Sequence, residues 1–252
     1  MRRSGQHQGS PETRLKSATV LLCTHGVGEA DGVPDALASR IRAEDVFGEV
    51  SACQLKGPRG LVETLNRLDD RPVFLVPLLM AEGHTYRTVL PDLLSQAGAR
   101  RSPVQCCRPL GVQPGLAPVA TAMAAEACAA QDWPAGETAV VIAAHGTTRH
   151  PASGASAHEL AEAVAATGRF ESARAGFLEQ APSIGEALRT AAPQRCVVIG
   201  FFMTDGPHSA VDVPKALDAA PSAAVYGGPI GTRPEIAGLV VDMVRAKAAD
   251  GE

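Results

Sequence analysis

The chain repeats itself. Cys23-Thr24-His25-Gly26 returns as Ala143-Ala144-His145-Gly146, 120 residues later. Leu55 to Leu65 (LKGPRGLVETL) returns as Leu178 to Leu188 (LEQAPSIGEAL), at an offset of 123. Met80-Ala81-Glu82-Gly83 returns as Met203-Thr204-Asp205-Gly206, again at 123, and Pro109-Leu110-Gly111-Val112-Gln113-Pro114 as Pro229-Ile230-Gly231-Thr232-Arg233-Pro234, at 120. Blocks in one order at nearly constant spacing make the chain two copies of one unit, each roughly 115 residues and of ordinary domain size. Solenoid units are shorter and more numerous, so a solenoid is excluded.

Each copy alternates strands and helices. In the second, Thr138–Ala144 is a nearly continuous apolar run, the pattern of a strand buried on both faces. Ala157–Ala166 reads as helix, Ser172–Phe177 as strand, and Cys196–Phe202 as strand. Ser183–Ala191 carries Ile184, Ala187, Leu188 and Ala191 on one helical face, with Ser183 as its N-cap. Val211–Ala219 (helix), Ala223–Tyr226 (strand) and Thr232–Lys247 (helix) complete the copy. The first copy has strands near Thr19–Cys23, Val50–Leu55, Val73–Pro77 and Val104–Cys107. Such alternation predicts an α/β protein of two similar domains, each a parallel sheet flanked by helices. The expected boundaries are 18–130 for the first copy and 138–252 for the second. Trp133-Pro134 and Gly136 mark 131–137 as the linker.

Composition removes several functions. Basic and acidic residues number 23 and 27, a net charge of −4, with no long run of one sign, and aromatics are 4%. That excludes a nucleic-acid surface, a base-stacking platform and a polybasic membrane patch. No apolar run approaches the roughly 20 residues of a membrane span. Met1–Ser17 lacks the apolar stretch of a secretory signal, which predicts a disordered tail and a cytoplasmic protein. The six cysteines show no C-x-x-C spacing and read as buried thiols in a reducing compartment.

Ligands of an open parallel sheet bind at the C-terminal strand ends. In the second copy His145, Glu179 and His208 each follow a different strand directly or by a short loop. Imidazole, carboxylate and imidazole form a borderline-hard set suited to Fe²⁺, Co²⁺, Ni²⁺ or Zn²⁺. The same set suits proton transfer near neutrality. In the first copy His25 matches His145, but Lys56 occupies the place of Glu179 and His84 lies one residue early relative to His208. An ammonium repels a cation, so the first copy is not expected to hold a divalent metal by itself.

The second half resembles the class II tetrapyrrole chelatases, the CbiX-type sirohydrochlorin cobaltochelatases and ferrochelatases. The resemblance rests on Ala144-His145-Gly146-Thr147 with Arg149, on Phe177-Leu178-Glu179 with Ala181-Pro182-Ser183-Ile184, and on Phe202-Met203-Thr204-Asp205-Gly206-Pro207-His208 with Asp212-Val213-Pro214. The pattern G-x-H-x-x-x-D-V-P after an apolar strand is the most specific of these. The likeness runs over both halves, from Ala18 to Lys247, with the first half diverged, as in long forms with two fused copies.

The resemblance implies a lyase that inserts Co²⁺ for cobalamin or Fe²⁺ for siroheme into a reduced, acidic tetrapyrrole, without ATP or an organic cofactor. Ni²⁺ is a further candidate ion. It implies metal ligation and proton removal by His145 and His208, assisted by Glu179. The substrate carries many carboxylates. Lys56, Arg59, Arg87 and Arg149 are therefore candidates to hold its periphery, with His25 and His84 also placed to touch it. The resemblance implies a cleft between the two copies; their fusion makes a monomer sufficient and leaves an oligomer open. The rival expectation is a non-catalytic metal or tetrapyrrole carrier.

Overall fold

The computed structural model describes residues 11–26, 32–147, 154–191, 195–219 and 223–250. In the first copy β1 (Thr19–Thr24) lies between β2 (Glu49–Gln54) and β3 (Val73–Pro77), and β4 (Val104–Cys106) borders β3. In the second, β5 (Ala139–Ala144) lies between β6 (Ser172–Phe177) and β7 (Arg195–Gly200), and β8 (Ala223–Pro229) borders β7. All pairings among these strands are parallel. Both sheets thus have the order 2-1-3-4, which reverses direction between the first and third strands of each copy. The central strands explain the apolar runs. Every residue of β5 and of β3 is buried, as expected of central strands covered on both faces.

The helices are α1 (Pro11–Lys16), α2 (Val33–Ala43), α3 (Leu61–Arg67), α4 (Leu90–Gln96), α5 (Leu116–Ala130), α6 (Ala155–Ala166), α7 (Ile184–Thr190), α8 (Val213–Asp218) and α9 (Ile236–Asp250). Around the second sheet, α7 packs on β5 and β6 and against α8, while α6 packs on the same two strands. The core on the α7 side joins Val141 and Ala143 to Ile184, Ala187, Leu188, Val198 and Val213. The remaining space, over β7 and β8, is filled by α5.

That helix belongs to the first copy by sequence. It buries Leu116, Val119, Ala120, Met123, Ala124 and Cys128, one stripe at helical spacing. Its larger apolar side chains contribute about 1.5–3 kcal/mol each. A bidentate pair from Arg233 to Glu126, 2.9 Å at both contacts, ties it to the loop after β8. The reciprocal holds for α9, which groups with the first sheet. Arg245, Ala248 and Ala249 of α9 line a cavity of about 410 Å³ with Phe74 of β3 and Gln105 of β4. One compact unit therefore gathers the described residues up to Pro77, Asp92–Cys107 and those from Ala237 onward; the other gathers Leu78–Pro91 and Arg108–Ile236. The packing units exchange their final helices relative to the sequence copies.

Three further differences from the sequence reading have physical causes. Pro11–Lys16 is helical where a disordered tail was expected, anchored by buried Leu15; the first ten residues lie outside the described ones. The expected helix from Val211 begins earlier, as a π-helical turn over His208–Asp212 that runs into α8. The final helix starts at Ile236, after a 3₁₀ turn over Ile230–Thr232. The cysteines are reduced thiols, all buried except half-buried Cys106. Burial pushes Cys106 up to about 11 and Cys107 up to about 12, so both stay protonated at neutral pH. Among the described residues no helix is long and apolar enough to cross a membrane.

Candidate active site

The second copy builds its site by extending the β5–β6 ladder past the end of the strands. Leu178 N donates to Ala144 O at 3.0 Å, and Glu179 N donates to His145 O at 2.9 Å. His145 and Glu179 are thereby held side by side on adjacent strand ends. The chain then turns at Gly146, whose φ of +70° is left-handed. A Cβ at that position would also lie 2.6 Å from Cγ of Gln180. Gln180 occupies this space because its Oε1 accepts from Thr147 N at 3.0 Å. Glycine is required here by conformation and by contact.

Hydrogen bonding fixes the edge that His145 presents. Its Nδ1 lies 2.7 Å from Gly146 O. A carbonyl can only accept, so Nδ1 is the donor and Nε2 is the nitrogen left open. That Nε2 is 3.6 Å from Glu179 Oε1. Two ligands of one tetrahedral ion at about 2.1 Å each lie about 3.4 Å apart, so the pair is close to ligand spacing.

His208 arrives from the far side of β5. β7 ends at Gly200, a loop follows, and the π-helical turn begins at His208. Its Nδ1 is 2.8 Å from Asp212 Oδ2, four residues on. The carboxylate accepts, so Nε2 of His208 is again the open nitrogen. The rings of His145 and His208 meet edge to face, with centroids 4.4 Å apart and planes at 80°. Each imidazole thus has its Nδ1 tied to an oxygen acceptor, which fixes the tautomer and orients the ring. The two sit beyond β5 and β7, the point where strand order reverses and where such sheets bind ligands. Among the described residues no three His, Cys, Asp or Glu side chains converge as a ready-made metal cage. The arrangement is an open pair of imidazoles with a carboxylate alongside.

The first copy shows the same scaffold with other groups. Leu55 N donates to Thr24 O at 2.9 Å, and Gly26 has a φ of +89°. His25 and Lys56 are exposed at these strand ends, and Lys56 has no ion-pair partner among the described residues. Arg59 is already occupied. Its guanidinium makes two contacts of 3.0 Å to Asp35 and holds that carboxyl below its usual range. Arg87 donates from Nε to Glu82 O at 2.8 Å and pairs with the Glu82 carboxylate, which also takes Arg108 at 2.7 Å. His84 is exposed and precedes a π-helical turn over Thr85–Val89. Arg149 lies outside the described residues. The sequence reading assigned no role to Asp212; its spacing of four from His208 was the available signal.

Comparison with known proteins agrees with the doubling. A protein named sirohydrochlorin cobaltochelatase from Methanopyrus kandleri is 32% identical over 143 residues, covering 45% of this chain and 98% of its own length. One named "Probable sirohydrochlorin cobaltochelatase" from Halobacterium salinarum is 23% identical over 248 residues, covering 84% of this chain and 83% of its own. The structure of CbiX, described as the terminal enzyme for biosynthesis of siroheme in denitrifying bacteria, superposes with a TM-score of 0.75. It is 31% identical and covers 90% of this chain and 98% of its own. The CbiX family model matches twice, at residues 19–127 and again at 139–247, and the chain belongs to the CbiX family.

Proposed function

We propose that this chain is a sirohydrochlorin chelatase whose chemistry is carried by its second copy. The observation that carries the reading is the convergence of His145 and His208, each with Nδ1 tied and Nε2 open, beside Glu179. Insertion of a divalent metal requires two pyrrole N–H protons to leave. An open Nε2 can ligate the incoming ion or accept a proton, and the adjacent carboxylate can do either. A site with two imidazoles and free positions holds the ion weakly enough to pass it on, unlike a closed thiolate site. Lys56, paired with no carboxylate among the described residues, is available to anchor a substrate carboxylate. Arg59 and Arg87 would have to exchange Asp35 and Glu82 for one.

Cobalt is the favoured ion, on the names of the two relatives. Iron is the second reading, favoured by the role of the similar CbiX in siroheme synthesis. Anaerobic incubation of sirohydrochlorin with Co²⁺ or Fe²⁺ and substoichiometric protein, followed by absorbance, tests the proposal. Many equivalents of metallated product are expected, with the faster ion being the physiological one. Product that stops at one equivalent per chain would point to a carrier.

A further inference from the structure

The π-helical turn that presents His208 is held from below. Ser209, the residue after exposed His208, is only 1% exposed. Its Oγ lies 2.6 Å from the phenolic oxygen of Tyr226 on β8. Tyr226 is paired in register with Val198 of β7, and its hydroxyl reaches over Gly200 at the end of that strand. A Cβ at Gly200 would be 2.2 Å from that oxygen, so the missing side chain is the space the phenol uses. Burial pushes the phenol up from its usual range, which keeps it a neutral O–H able to donate or accept.

A π-turn is one residue longer than the α-turn it replaces and is uncommon, occurring mostly as a single turn within an α-helix. Relaxing it by one residue would swing His208 about 100° around the helix axis. Ser209 would swing with it, off Tyr226. The Ser209–Tyr226 hydrogen bond therefore distinguishes the two registers, and it is in the π register that His208 lies 4.4 Å from His145. We infer that Tyr226 is a positioning residue of the site: through Ser209 it fixes the π register and so keeps His208 beside His145. The inference rests on the chelatase reading for its consequence, but its geometry can be tested with the metal alone.

The test measures Co²⁺ binding to the full chain, by equilibrium dialysis and by the visible spectrum of the bound ion, for wild type, Tyr226→Phe and the pair Ser209→Ala/Tyr226→Phe. Tyr226→Phe keeps the ring and is expected to weaken Co²⁺ binding about ten-fold, the usual scale for losing an outer partner of a ligand. The ligand-field bands of bound Co²⁺ should shift. The single variant also strands the buried Ser209 hydroxyl and lowers the melting temperature. The double variant removes both partners and should recover the melting temperature while leaving Co²⁺ binding weak. Unchanged Co²⁺ binding in Tyr226→Phe, or recovery of both properties in the double variant, overturns the inference. A wild type that binds Co²⁺ but inserts no metal overturns the chelatase reading and leaves this test standing. A wild type that binds no Co²⁺ overturns both.

Discussion

The two copies share a scaffold and differ at its rim. Strand order, parallel pairing and the ladder extension after the first strand are common to both. Past the second strand they part. In the second copy Ser183 caps α7 through a full capping box with Glu186. In the first, Gly60 offers no side-chain cap to α3, and the equivalent Glu63 pairs with Arg67 instead, at 2.7 Å. Glu179 has become Lys56. His208 opens its π-turn with Asp212 four residues on, whereas His84 precedes its π-turn and finds Thr88 at that spacing. Buried strands are constrained by packing on both faces. Exposed strand ends are not, so two copies can keep one fold while the groups at their rims diverge.

This asymmetry can be broken in graded ways. The largest effect is expected at the equivalent histidines. His145→Ala should lower metal insertion by about 10²-fold or more, the scale of a lost acid–base group. His145 sits beyond the strand, so the melting temperature should change little. His25→Ala should cost far less, and equal losses would mean that both copies contribute chemically. Next comes Lys56→Glu, which restores the carboxylate of the second copy. If Lys56 anchors the substrate, a charge-assisted bond of about 1.5–3 kcal/mol becomes a repulsion. The KM for sirohydrochlorin should then rise about ten-fold or more. An unchanged KM with a second bound metal would instead mark a decayed metal site.

Smaller effects sharpen the helix comparison. Ser183→Ala should destabilise the protein by about 1 kcal/mol, read by denaturant or heat. Gly60→Ser, with Glu63 in place to complete a box, should gain a few tenths of a kcal/mol at most. The smallest effect concerns the Asp35–Arg59 pair of the first copy. Its carboxyl is held below the unfolded value of about 3.9, so the pair contributes above that pH and its contribution fades as pH falls through the folded value. Both side chains are about half exposed, which limits the term to less than about 1 kcal/mol. Asp35→Asn should remove that acid-side slope from a stability–pH curve.

The sequence displayed the sheets well because buried parallel strands are written as continuous apolar runs. Val73–Pro77 falls where the pattern puts it. Periodicity could not reveal the π-turns, since an i, i+4 face looks alike whether or not one residue bulges. It could not reveal α1 either, because six residues with one apolar anchor carry no period. The exchange of α5 and α9 was hidden for another reason: an amphipathic stripe says which face is buried, never against which sheet. At the site, strand ends pointed to His145, Glu179 and His208, which the structure brings together. Ser209 and Tyr226 stayed invisible because their pairing is long-range in sequence and made by residues that also serve as ordinary core.

The exchanged helices also set an order of events during synthesis. When β5 leaves the ribosome, α5 already exists, so the second sheet can close as soon as β8 emerges. The first sheet is complete at Cys106 but its partner helix, α9, is translated more than a hundred residues later. At cellular elongation rates that is a wait of roughly 6–30 s. Throughout it, apolar surface destined for α9 stays uncovered, in the half of the chain that was made first. The growing chain is thus most exposed to aggregation and chaperone capture in its diverged copy, and the copy proposed to carry the chemistry is the first able to finish folding.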